Sequence, residues 1–166
     1  MTTRTLLDQW DRSIQVMTWS NDDPSFFLEL GEEGGHVIYQ AANVLTVVNF
    51  RTCHDVNLRL TNNKILLATH DNFLSPINIA LITNDGTTPI TTHNDQLIAK
   101  IYLSYGYKQF SFLGARNKTV SGCHLPLVNF TVGKVPLTFL IHRGPPNSWY
   151  GTWSREWNFQ AFAVQE

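Results

Sequence analysis

The chain has 166 residues and a mass of 18.9 kDa, the size of one domain, long enough to bury a core without metals or several disulfides. Only 15% of residues are Asp, Glu, Lys or Arg, against roughly 25% in an ordinary soluble domain, and 12 basic residues nearly balance 13 acidic ones at a net charge of −1. A phosphate-tracking nucleic-acid binder is excluded, because it needs a basic excess; the polar groups are instead amides and hydroxyls, with 17 Thr and 14 Asn.

Residues 1–10 lack the apolar core of a secretory signal, and no apolar run approaches the length of a membrane span. Residues 1–16 look unlike the rest and read as a separate preceding segment. From residue 13 onward the pattern is short β-type runs punctuated by turn residues. Ser13–Trp19 alternates, and Phe26–Leu30 follows Asn-Asp-Asp-Pro. The stretch 31–35 holds three glycines and reads as a loop. His36–Val48 reads as two strands joined near Asn43.

Val56–Leu60 and Lys64–Thr69 flank Thr61-Asn62-Asn63, a tight hairpin turn. Ile77–Thr83 runs into Asn84-Asp85-Gly86, where residues tolerant of positive φ mark a second hairpin. Gln96–Tyr105 and Lys108–Leu113 read as a third hairpin about Gly106-Tyr107. Val135–His142 ends at Gly144-Pro145-Pro146, and Trp157–Val164 reads as the closing strand. Eight or more strands with no helical periodicity beyond residue 16 predict an all-β fold, an antiparallel sandwich or jelly roll.

Chemistry-bearing residues are sparse. The six histidines are scattered along the chain, and acids cluster only as Asp22-Asp23 and Glu32-Glu33 in loops. No nucleophile elbow, zinc-peptidase helix or P-loop is present, so neither a catalytic residue nor a cofactor is expected. Cys53-His54 and Cys123-His124 hold zinc-type ligands, but neighbours on a strand face opposite ways. No metal site follows; two buried thiols beside two surface imidazoles do. Two cysteines are too few for a disulfide framework, and they are either free or joined in one bridge. Asn117-Lys118-Thr119 and Asn129-Phe130-Thr131 are glycosylation sequons, read as products of a Thr- and Asn-rich surface.

The segment 142–157 is the densest aromatic cluster, with Trp153 and Trp157 expected in the core and a subunit contact and Trp149 and Tyr150 covering the loop. A galectin-type strand wants H-x-N-x-R, and His54, Asn57 and Arg59 stand at the wrong spacing.

Four stretches in order resemble the head domain of the adenovirus fibre. Met17-Thr18-Trp19-Ser20 with Asp23-Pro24-Ser25 is similar to the motif that opens that head. Residues 26–30, 37–39 and 44–48 resemble its second and third strands. Val56–Leu60 with Asn62-Asn63 and Ile65-Leu66 is similar to its fourth strand and turn, and residues 98–103 with 110–112 to a later hairpin. The ending Phe159–Glu166 resembles its last strand, interrupted by Val164. The resemblance covers 17–166 and is strongest to the compact heads of avian adenoviruses, the group that includes turkey siadenovirus; residues 1–16 would be the end of the fibre shaft or vector sequence.

This resemblance implies an antiparallel β-sandwich of two four-stranded sheets, assembled as a homotrimer. It implies a non-enzymatic attachment domain on the virion, at the capsid vertex, made in the infected cell and assembled in the nucleus. The partner expected is a host cell-surface receptor, a sialylated glycan in preference to a protein; neither nucleic acid nor membrane insertion is expected. Pro24 leads straight into the second strand, which puts in doubt the surface many such heads use against a protein receptor. A glycan site needs neutral hydrogen-bonding groups and something for a carboxylate. Thr131, Val132, Gly133 and Lys134 offer these, and Arg116, Asn117, Lys118 and Thr119 form a second candidate. The alternatives are a head that binds a protein receptor through its rim loops, and a cellular β-sandwich lectin. The low charge fits oligomerisation, since interface cores are depleted in charge.

Overall fold

The computed structural model describes residues 10–20, 24–32, 34–41, 48–51, 54–63, 65–83, 85–142, 148–149 and 151–164. Ten strands and two short helices are found among them, so the protein is mostly β, with every strand pairing antiparallel.

One four-stranded sheet is built in chain order from β1 (Ile14–Trp19), β2 (Phe26–Glu32), β3 (Gly35–Ala41) and β4 (Val48–Arg51). Phe26 to Leu30 are all buried, which a strand covered on both faces requires. The expected loop at 31–35 is tighter than the three glycines implied. Both strands continue into it, pairing Gly31 with His36 and Glu32 with Gly35, and Gly34 turns the chain at φ +82. Because β1 begins at Ile14, its first residues precede position 17.

A second four-stranded sheet follows as a meander of β5 (His54–Leu60), β6 (Leu66–Asn72), β7 (Ser75–Thr83) and β8 (Gly86–Pro89). The hairpin expected at 61–63 joins β5 to β6, β7 pairs with β8 from Thr83 opposite Gly86, and β7 shows clean alternation, with Asn78, Ala80 and Ile82 buried while Ile77 and Ile79 are exposed. Phe27 and Ile38 of the first sheet share one buried cluster with Leu58, Leu66, Ala68 and Ile82 of the second. Phe26, Leu28, Leu30, Val37, Tyr39 and Ala41 form the other cluster, against which Trp10 packs.

The second half departs from the sequence reading. Asp95–Ile98 is a helical turn, α1, so no hairpin joins Gln96–Tyr105 to the next strand. The strand β9 (Lys108–Leu113) pairs instead with β10 (Thr119–His124), which the alternation did not single out. Glycine makes this pairing possible: a Cβ on Gly122 would sit 2.7 Å from the Phe110 ring that lies across it. Residues 135–142 join no strand among the described residues.

The expected last strand is also corrected. Phe159–Ala163 is a helix, α2, whose N-cap Asn158 accepts the Gln160 N–H at 2.9 Å. Trp157 is exposed and Trp153 half-buried, so neither belongs to the buried core of the single chain. The expectations resting on Asp22, Asp23, Glu33, Asn43, Cys53, Asn84, the 144–146 turn, Tyr150 and residues 165–166 lie outside the described residues.

Candidate functional site: a doubled aspartate–histidine ladder

Three of the histidines that look scattered in the sequence are brought together by the fold. The strands β5 and β6 each carry a His-Asp dipeptide, His54-Asp55 and His70-Asp71, and antiparallel pairing sets His54 opposite Asp71 and Asp55 opposite His70. Both pairs bond. His70 Nδ1 lies 2.7 Å from Asp55 Oδ1, and His54 Nδ1 bonds Asp71 Oδ1. Successive strand residues face opposite ways, so one pair lies on each face of the sheet.

Asp55 is fully buried, and its second oxygen accepts the Thr87 hydroxyl of β8 at 2.9 Å. On the far nitrogen of His70, Nε2, stands the Asn72 amide at 3.3 Å. From the other sheet His36 approaches with Nδ1 3.0 Å from the Asp55 carbonyl oxygen and Nε2 2.7 Å from the Gln15 side-chain amide. Its ring centre is 5.4 Å from that of His54. Burial is the main force holding the His36 imidazole below its ordinary value; the neighbouring His54 adds to this, while the Asp55 carbonyl opposes it.

Asp71 serves the outer face. Its Oδ2 accepts the Thr152 hydroxyl at 2.5 Å and the Trp153 N–H at 2.9 Å, so it anchors the C-terminal segment to the sheet. Burial works to raise the Asp71 carboxyl. The hydrogen bonds from His54, Thr152 and Trp153 outweigh it and hold the group below the usual carboxylate value.

A hydrolytic relay needs a hydroxyl or thiol on the free nitrogen of an Asp-oriented histidine. Among the described residues His54 and His70 hydrogen-bond none. No group of three or more His, Cys, Asp or Glu able to hold a metal occurs among the described residues. What this ladder does is lock three strands and the C-terminal segment with charge-assisted bonds. The repeated His-Asp dipeptide, on either side of a predicted hairpin, is the signal that would have found it.

The sequence-predicted glycan candidates lie elsewhere. Arg116 and Asn117 form the short 3₁₀ turn between β9 and β10, both at positive φ, and Thr119 opens β10. Lys118 offers its carbonyl to the Gly114 N–H at 2.8 Å. Residues 131–134 lie in an exposed loop with Gly133 at φ +140 and Val132 almost wholly in solvent. Among the described residues no hydrogen bond or ion pair joins the two segments. Cys123 is exposed rather than buried, its Sγ 3.5 Å from the Tyr107 hydroxyl. No helix among the described residues is long and apolar enough to cross a membrane.

No family model matches the sequence, and no solved structure matches it. Two curated proteins are similar over a short stretch. A probable dipeptidyl-peptidase 5 from Emericella nidulans is 57% identical over 30 residues, 18% of this chain and 4% of that protein. The protein of the same description from Aspergillus clavatus is 56% identical over 32 residues, 19% of this chain and 4% of its own. The chain thus matches only a small fraction of either relative's length.

Proposed function

We propose that this chain is a β-rich relative of the fungal dipeptidyl-peptidases, a module that serves peptide release by a larger catalytic body and does not itself supply the nucleophile. The observation that carries this reading is the 57% identity over 30 residues to the Emericella nidulans protein. The substrate class is then peptide. The ladder is consistent with a supporting role, because each carboxylate-held imidazole is turned to strand cross-linking and neither His54 nor His70 has a hydroxyl or thiol bonded to it. An antibody against the purified chain, applied to an extract of cells that carry the sequence, tests this. The captured material is expected to release p-nitroaniline from dipeptidyl p-nitroanilides, while the purified chain alone does not. Captured material with no such activity would overturn the proposal.

A second reading follows the fibre-head resemblance, favoured by one observation. Phe27 and Ile38 share a buried cluster with four residues of the other four-stranded sheet, as the layers of a β-sandwich would. On this reading the chain is a homotrimeric attachment head that binds a sialylated glycan. Its candidate contacts are Thr131, Val132, Gly133 and Lys134, or Arg116, Asn117, Lys118 and Thr119, all of them exposed. Three weak sites on one trimer would act through avidity. A solution mass of three times 18.9 kDa, with cell binding lost after neuraminidase treatment, is expected; unchanged binding would sink it.

A further inference from the structure

Asn57, Asn72, Asn78, Asn94 and Asn158 each place the side-chain amide in a hydrogen bond of the fold. Asn117 and Asn129 do not. Among the described residues neither these two side chains nor the hydroxyls of Thr119 and Thr131 make a hydrogen bond, and all four residues are exposed. Each of the two asparagines is followed at the second position by threonine, in Asn117-Lys118-Thr119 and Asn129-Phe130-Thr131, the acceptor sequence for N-linked glycosylation. Each also stands third in a hydrogen-bonded turn. The Lys118 N–H donates to the Ala115 carbonyl at 3.3 Å, and the Phe130 N–H donates to the Leu127 carbonyl at 3.3 Å. Both asparagine backbones are left-handed, at φ +55 and +56, a conformation that Asn adopts more readily than other residues with a side chain. A composition rich in Asn and Thr accounts for the two tripeptides; it does not account for both acceptors standing at the same place in an exposed turn.

We infer that Asn117 and Asn129 are N-glycosylation sites of this chain. The co-substrate is an oligosaccharide joined through a diphosphate to a lipid. The asparagine Nδ2 forms a bond to the anomeric carbon of the sugar, and the bond from that carbon to the diphosphate oxygen breaks. The lipid diphosphate leaves with the electron pair, and the amide gives up one proton. A glycan is bulky and needs a surface position, which both turns provide, and the Thr119 and Thr131 hydroxyls are not spent on bonds within the fold. The surroundings give the modification a use. Leu113 and Val120 lie on either side of the first turn and Phe130 and Val132 follow Asn129, all of them exposed. In a chain with only 15% charged residues, a hydrated sugar supplies at these places the solubility that ionised side chains supply elsewhere. The inference rests on neither functional reading.

The test uses the full chain recovered from cells that carry the sequence. Peptide-N-glycosidase in heavy-oxygen water turns a glycan-bearing Asn into labelled Asp and adds about 3 Da to its peptide. That shift is expected on the peptides that hold Asn117 and Asn129, and not on the one that holds Asn62 and Asn63, which are exposed but lack the threonine. Thr119→Ala and Thr131→Ala, expressed in the same cells, should each lose the shift at their own site. Thr119→Ser and Thr131→Ser keep the hydroxyl and should retain it. An unshifted Asn117 or Asn129 in the parent chain overturns the inference for that position, and a shift that survives the loss of the hydroxyl overturns it as well. Occupied sites would weigh against an attachment head assembled in the nucleus, where no lipid-linked donor is met.

Discussion

The buried carboxylate of Glu29 accepts the backbone N–H of Leu58 at 3.0 Å, a bond that passes from one four-stranded sheet to the other. It falls where β5 slips by one residue against β6. Arg59 faces Leu67, yet Val56 faces Thr69, with Asn57 between them at φ +58. Such a bulge leaves a backbone group unpaired in the ladder, and Glu29 supplies the missing acceptor. The consequence reaches the site. Had the Arg59–Leu67 register continued unbroken, Asp55 would face Asp71, and like charges directly opposite destabilise a sheet. The bulge instead sets each aspartate against a histidine.

Removing that acceptor should therefore loosen both the bulge and the ladder. Glu29→Ala leaves the Leu58 N–H buried without a partner, at an expected cost of about 2–4 kcal/mol. Glu29→Gln keeps an acceptor oxygen and should cost about 1 kcal/mol. Urea midpoints of the two variants measure the difference, and equal midpoints would show that the bond does not hold the bulge.

Asp71 joins β6 to the C-terminal segment. Asp71→Ala strands His54, the Thr152 hydroxyl and the Trp153 N–H, and is expected to cost about 2–4 kcal/mol. Limited proteolysis should then cut within 148–164 well before the sheets. Thr152→Val removes only one donor and should cost about 1 kcal/mol. Were cleavage to begin in the sheets, Asp71 would not be the anchor.

Acid should weaken the fold in two stages. His36 sits below the ordinary histidine value of 6.5, chiefly through burial, so the unfolded chain takes up that proton first. Stability is full above 6.5 and declines as pH falls from there through the folded value. Asp71, below its ordinary 3.8 because its hydrogen bonds outweigh burial, contributes stability that is present above 3.8 and lost as pH falls through its folded value. Urea midpoints between about pH 8 and pH 2 should show both declines, and His36→Gln should abolish the upper one alone.

Gln160 clamps the C-terminal helix. Its Oε1 accepts the Ser104 N–H at 2.7 Å, and its Nε2 donates to the carbonyls of Ser104 and Phe73, each at 3.0 Å. Gln160→Ala should cost about 2–3 kcal/mol and speed hydrogen exchange at the Ser104 amide. Gln160→Glu loses both donors and should be nearly as costly. An unchanged Ser104 exchange rate would rule out the clamp.

Local chemistry made the first half legible. Thr61-Asn62-Asn63 and Asn84-Asp85-Gly86 are turn sequences in their own right, and alternation beside them marks which side chains face the core, so β5, β6 and β7 could be read to within two or three residues at their ends, while β8 was signalled only by the turn before it. Across 95–164 the same reasoning placed the strand Lys108–Leu113 but not its partner, nor the helices at 95–98 and 159–163. Apolar alternation reports that a segment could be a strand and says nothing of a partner. Hence Val135–Ile141 stands unpaired, and Phe159–Ala163 coils behind the Asn158 cap into a helix.

What the sequence alone determined is an antiparallel β protein, because hairpin turns and period-2 alternation are properties of neighbouring residues. Only the tertiary structure decided the site. Two His-Asp dipeptides acquire partners through a one-residue slip that Glu29 stabilises from another sheet, and a bond between residues 29 and 58 leaves no trace in local pattern. The shortage of charge takes its meaning from the same source. The surface of 101–141 is rich in exposed apolar side chains, and it is the fold, not the order of residues, that decides which apolar side chains a neighbouring element covers.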